Sequence, residues 1–159
     1  MTLDERLLQK LAEWRPESGR QTLTITDPAS TSTVTITCDR ADLVASELWE
    51  VTLQRSVTLD AAGVRTWAEQ TAVRVTGLLE PLRLLEVDAG NATALLRSQS
   101  PTHRGENLFY YELTLNGHGR AHVARYQASA KPEGRRQQVP YALTHETLAK
   151  LVSDINASL

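Results

Sequence analysis

Hydrophobic and polar positions alternate with a period of two through several stretches of this chain and recur every three or four residues through three others. The first helical stretch is residues 2–14, where Leu7, Leu8, Leu11 and Trp14 fall on one face. Thr2 and Glu5 stand at capping-box spacing, so each side chain can satisfy a free backbone N–H at the helix start. Two threonine-rich strands follow. Leu23 and Ile25 alternate with Thr22, Thr24 and Thr26, and Val34, Ile36 and Cys38 alternate with Thr33, Thr35 and Thr37. Asp27-Pro28-Ala29-Ser30 supplies the turn between them. A third strand spans 48–57, with Trp49, Val51 and Leu53 on one side.

Asp60 then caps a helix whose buried stripe is Val64, Trp67, Thr71, Val75, Leu78 and Leu79, ended by Pro81. Residues 82–88 and 92–98 read as a hairpin around Ala89-Gly90. Its leucines divide between the faces, Leu84 with Leu95 and Leu85 with Leu96, which places the pair near the centre of a sheet. Residues 99–107 form a polar exposed loop, and 129–140 is the most linker-like segment, with its charges, prolines and glycine. A last helix begins at Thr144 and carries the stripe Leu148, Leu151, Val152, Ile155 and Leu159.

Residues 108–127 are the most informative stretch. A three-residue loop at Gly117-His118-Gly119, with Gly119 left-handed, pairs Leu115 with Ala121, Leu113 with Val123, Tyr111 with Arg125 and Tyr110 with Tyr126. That register puts Phe109, Tyr111, Leu113, Leu115, Ala121 and Val123 on one face. Tyr110, Glu112, Thr114, His122, Ala124 and Tyr126 share the other.

The elements run α-βββ-α-ββββ-α. Short connections between successive strands predict an α+β fold over 1–159 as one domain, with one antiparallel sheet of about six to seven strands and the helices on one face. This order is similar to the small α+β fold of secretion chaperones, which are dimeric binders of unfolded partner segments. The resemblance lies in the order of elements and in no sequence motif; it implies a chaperone-like binding module.

Composition narrows the function classes. The chain has 159 residues, 41% of them hydrophobic and 23% charged, with a formal net charge of −2. That balance gives no general attraction to nucleic acid or to an anionic membrane. A single cysteine, Cys38, excludes an intramolecular disulfide and a multi-cysteine metal site. The start, Met1-Thr2-Leu3-Asp4-Glu5-Arg6, lacks the basic and apolar regions of a secretory signal, and no apolar run reaches the ~20 residues of a membrane span. A cytoplasmic location is expected.

Four constellations could carry chemistry. Tyr110, Glu112, His122 and Tyr126 share a sheet face with Arg97 nearby, and a carboxylate beside an imidazole is the pairing used in general acid–base work. His118 and His122 have ligand-like spacing, but a turn and a strand would separate them, and no zinc-protease glutamate accompanies them. Arg120, Arg125, Arg135 and Arg136, with Lys131 and Arg104, offer an anion patch. The two terminal helices, the middle helix and the sheet edges offer surfaces for self-association. No glycine-rich phosphate loop or nucleophile elbow is present.

The sequence therefore predicts a non-enzymatic module that binds a protein partner or itself, without cofactor, metal, nucleic acid or membrane. The alternative is a small-molecule-binding or enzymatic domain built on Tyr110, Glu112, His122, Tyr126 and Arg97. A weaker alternative is an anion or RNA binder using Arg120, Arg125, Arg135 and Arg136.

Overall fold

The computed structural model describes residues 1–16, 19–131 and 134–159. It contains α1 (Leu3–Glu13), β1 (Gln21–Asp27), β2 (Ser32–Ala41), β3 (Ala45–Gln54), α2 (Ala61–Arg74), β4 (Leu82–Asp88) and β5 (Thr93–Ser98). Then follow β6 (Thr102–Arg104), β7 (Asn107–Asn116), β8 (Arg120–Ser129), β9 (Gln137–Val139), β10 (Tyr141–Thr144) and α3 (His145–Ala157). The fold is α+β. All ten strands join one antiparallel sheet, whose long strands lie in the order β1-β2-β3-β8-β7-β5-β4.

Local chemistry starts each helix where expected. Thr2 and Glu5 form the capping box of α1, the Asp60 carboxylate accepts from Gly63 N–H, and the Thr144 hydroxyl accepts from Thr147 N–H. The three helices lay their apolar stripes on one side of the sheet. Leu7 and Leu11 of α1, Val64 and Trp67 of α2, and Leu148, Val152 and Ile155 of α3 join Val34, Ile36, Leu53, Leu96, Leu113 and Val123 in one core. Trp67 is fixed there by its indole N–H, which donates to the Ile155 carbonyl at 3.0 Å.

The β7–β8 hairpin has the predicted register, from Leu115 opposite Ala121 to Tyr110 opposite Tyr126. Gly119 has a φ of +79°, as the three-residue loop requires. Its neighbour in space is the β3–α2 connection. Arg55 N–H donates to the Gly119 carbonyl and Leu59 N–H to the Gly117 carbonyl, both at 2.8 Å.

Five expectations need correction. The strand count rises from six or seven to ten, because short strands form inside both polar segments: β6 within 99–107 and β9 within 129–140, with β10 just beyond. Residues 132 and 133 of the predicted linker lie outside the described residues. The second helix ends at Arg74 instead of running on to Pro81; Val75 is extended, and Leu79 is 68% exposed instead of buried. The leucines of β4 and β5 pair as Leu84 with Leu96, because an irregularity at Leu85 shifts the register. That hairpin also lies at the end of the strand order, with β4 outermost, and not at its centre. Finally, Trp49 does not share a side with Val51 and Leu53. The β2–β3 register slips beside it, pairing Cys38 with Leu48 and Thr37 with Glu50, so Leu48 takes the core position.

Strands β3 and β8 share only the rungs from Val51–Val123 to Gln54–Arg120 and then part. The fork is filled by one turn of chain. β9 pairs with β8 along one side, β10 pairs with β3 along the other, and Pro140 stands at the apex. A proline suits that point, since it offers no N–H that would need a ladder partner. Two bonds tie the fork shut: Gln138 donates to the Trp49 carbonyl and the Tyr141 hydroxyl to the Val123 carbonyl, each at 3.0 Å.

Candidate functional site: the helix-free face of the sheet

With the helices on one side, the other side of the long strands is left without a covering element among the described residues. On β1 and β2 this face is a ladder of threonines. Thr22–Thr37, Thr24–Thr35 and Thr26–Thr33 are cross-strand pairs, each joined by a hydroxyl–hydroxyl hydrogen bond of 3.1–3.3 Å. Thr52 continues the row beside Thr35, and His122 and Thr114 extend it onto β8 and β7.

The character changes in the middle of the sheet, where aromatic rings lie beneath guanidinium groups. The Arg20 guanidinium sits 3.7 Å from the Trp49 ring centre and pairs with Asp39 at 2.9 Å. Arg136 lies 4.0 Å over Tyr126, and Arg97 lies 5.1 Å over Tyr110. The two tyrosine rings stand 6.0 Å apart, centre to centre. Such stacked cations gain roughly 0.5–1 kcal/mol each at exposed sites.

Glu112 joins two of these units. Arg97 donates to its Oε1 from Nε at 3.1 Å and from Nη2 at 2.7 Å, and Arg136 donates to the same oxygen. The Glu112 side chain is only 7% exposed, so the two cations enclose it. His122 takes a different carboxylate: its Nε2 lies 2.9 Å from Glu50 Oε2. Burial pushes the Tyr126 hydroxyl above its ordinary pKa, against the opposing pull of Arg136, so the phenol stays protonated.

The structure thus brings Tyr110, Glu112, His122, Tyr126 and Arg97 onto one face, but splits the expected acid–base pair between two carboxylates. Glu112 is held by guanidiniums and His122 by Glu50, so neither is poised to exchange a proton with the other. The arginines expected to form an anion patch are also divided. Arg120 and Arg136 border a depression of about 590 Å³ with His122, Glu112, Glu86 and Asp88, a lining of mixed sign. Arg135 is exposed beside Arg136. Arg125 is on the opposite side of the sheet.

There Arg125 makes a two-pronged ion pair with Glu80, Nη1 to Oε1 at 2.9 Å and Nη2 to Oε2 at 3.1 Å. Ser98 and Thr102 hydroxyls donate to the same carboxylate at 2.8 Å, and Tyr111 N–H donates to Ser98 Oγ. Burial raises the Glu80 pKa, but the bonds from Arg125, Thr102 and Ser98 outweigh it and hold the carboxyl below its usual range. This is a satisfied structural pair.

Among the described residues, no three His, Cys, Asp or Glu side chains come together as metal ligands, and no helix is long and apolar enough to cross a membrane. Sequence reasoning missed Trp49 and Arg20 as members of the face, and did not join Glu50 to His122 or Arg136 to Glu112. The bulge at Trp49 has no signal in the alternation, and Arg136 arrives from a segment that reads as linker. Comparison of the chain with protein-family models, curated proteins and solved structures finds no match.

Proposed function

We propose that this chain is a non-enzymatic protein-binding module whose recognition surface is the helix-free face of the sheet. The observation that carries the reading is the set of three arginine-capped rings, Trp49 under Arg20, Tyr126 under Arg136 and Tyr110 under Arg97, in the middle of that face. Tryptophan, tyrosine and arginine are the residues that dominate protein interfaces, because each presents a large contact area with a polar edge. Here their side chains are already ordered by one another and by Glu112, which lowers the entropy lost on binding. The threonine ladder beside them supplies a flat surface with hydroxyl donors and acceptors. The chaperone-like order of elements read from the sequence, which the ten-stranded sheet matches only in part, suggests such a role by fold analogy alone.

The test combines affinity capture with light scattering, using wild type and the double variant Tyr126→Ser, Arg136→Ser. Capture of a defined protein by wild type, lost in the double variant at unchanged melting temperature, supports the reading. Wild type that captures nothing, and whose mass by light scattering is unchanged in the double variant, overturns it.

A second reading is favoured by the depression bordered by His122, Arg120, Arg136 and Glu112, whose volume of about 590 Å³ suits a small polar ligand. In that case His122→Ala abolishes ligand binding without lowering stability. A substitution that leaves binding unchanged removes it.

A further inference from the structure

The two outermost strands of the sheet are built differently. β4 carries Arg83, Glu86 and Asp88 and is kinked by the irregularity at Leu85, which are the features that keep a sheet edge from pairing with another chain. β1 has no such kink and a single charge, at its end. It pairs with β2 without a register break from Gln21–Cys38 to Asp27–Ser32, holds no proline, and has no charge before Asp27. Among the described residues no strand pairs with its outer edge.

Its sequence, Gln21-Thr22-Leu23-Thr24-Ile25-Thr26-Asp27, reads the same pattern in both directions about Thr24. We propose that β1 is a homodimer interface, pairing antiparallel with β1 of a second copy about a two-fold axis through Thr24. In that register Thr24 faces its own counterpart, Thr22 faces Thr26 of the second copy, and Leu23 faces Ile25. The helix-free face then gains threonine rungs of the kind that already join β1 to β2 at 3.1–3.3 Å. On the other face, half-buried Leu23 meets buried Ile25, extending the apolar layer across the join. Gln21 meets Asp27, so no like charges stand opposite one another. A two-fold axis demands this self-complementarity, whereas an unrelated peptide strand would not require it. The result is one sheet running through both copies, with β4 guarding each outer end.

The register makes the test specific. Opposed Cα atoms in an antiparallel pair lie about 4.5–5.5 Å apart, within disulfide reach. Under mild oxidation Thr24→Cys is expected to form a covalent dimer on non-reducing gels. Thr22→Cys and Thr26→Cys are expected to stay uncrosslinked alone and to crosslink when mixed. Wild type serves as the control, since Cys38 is fully buried. Light scattering of wild type is expected to give twice the 17.6 kDa chain mass, reverting to the single mass in Leu23→Lys at an unchanged circular dichroism spectrum. A wild-type mass of one chain at all concentrations overturns the proposal. So does a dimer in which Thr24→Cys stays uncrosslinked, or in which Thr22→Cys crosslinks alone. The protein-binding reading of the outer face stands or falls separately, on Tyr126 and Arg136.

Discussion

Leu59 and Gly117 are locked together through their backbones. Leu59 N–H donates to the Gly117 carbonyl at 2.8 Å, and a Cβ on Gly117 would stand 2.5 Å from the Leu59 carbonyl oxygen. The contact clamps the β7–β8 turn against the chain entering α2. Gly117→Ala is therefore expected to destabilise the protein by about 1–3 kcal/mol, the usual cost of forcing atoms into filled space. Gly119→Ala is expected to cost at least as much, since its φ of +79° adds backbone strain to a contact of 2.4 Å with the Arg55 carbonyl oxygen. Urea titration followed by circular dichroism measures both.

Removing one member of the Glu80–Arg125 pair leaves the other charge buried, which typically costs about 3–5 kcal/mol. Glu80→Ala is expected to lose stability in that range. Glu80→Met combined with Arg125→Leu is expected to lose much less. A double-mutant cycle of Glu80→Met, Arg125→Leu and the two combined, by chemical denaturation, reads the coupling directly.

The same pair sets part of the acid response. Because the folded Glu80 carboxyl lies below its ordinary value of 4.5, the unfolded chain binds its proton first as pH falls. The stabilisation is complete above that value and declines as pH drops through the folded pKa. Asp27, Asp42 and Asp88 are also held low, by local hydrogen bonds, and contribute to the same decline. The measurement is thus the difference between wild type and Glu80→Gln. The variant is expected to be less stable at pH 7 and to lose less on acidification to pH ~3.

Cys38 is fully buried between the sheet and the helices, and burial, with Asp39 beside it, pushes its thiol up to about 11. It is expected to stay unmodified by a thiol reagent at pH 8 in the native protein and to react stoichiometrically in denaturant. Rapid labelling of the folded chain would contradict the packing described for β2.

Trp67→Ala is expected to cost about 3–5 kcal/mol, because it empties the space between α2 and α3 and removes the indole bond to the Ile155 carbonyl, which keeps its bond from Ser158 N–H. Trp67→Phe keeps most of the volume and loses the indole bond, so it is expected to fall well short of that loss. Thermal unfolding of both variants separates packing from hydrogen bonding.

What the sequence revealed follows from which forces act locally. The β7–β8 register was readable because Leu113, Leu115, Ala121 and Val123 must all face inward together, and only one loop length allows it. The threonine strands and the helix caps were readable for similar reasons. Trp49 was misplaced because a bulge inverts the alternation without changing composition. Leu79 was misplaced because its spacing continues the helical stripe although the helix stops at Arg74. β9 and β10 escaped notice because their pairing comes from a gap elsewhere in the sheet, not from their own residues. Of the candidate face, the hairpin register that puts Tyr110, Glu112, His122 and Tyr126 on one side was readable, with Arg97 opposite Glu112 on β5, whereas Glu50 and Arg136 reach it through tertiary neighbours.

The fork between β3 and β8 gives the sheet a seam through its middle. Over most of their length the two blocks of strands, β1–β3 and β8–β7–β5–β4, share no backbone ladder and are joined through the wedge of β9, Pro140 and β10. Strain arriving from either block concentrates on Gln138 and Tyr141, whose bonds close the wedge. Amide exchange should therefore first disclose the fracture line at the heart of this layer, along β9 and β10, while the long ladders on either side remain protected.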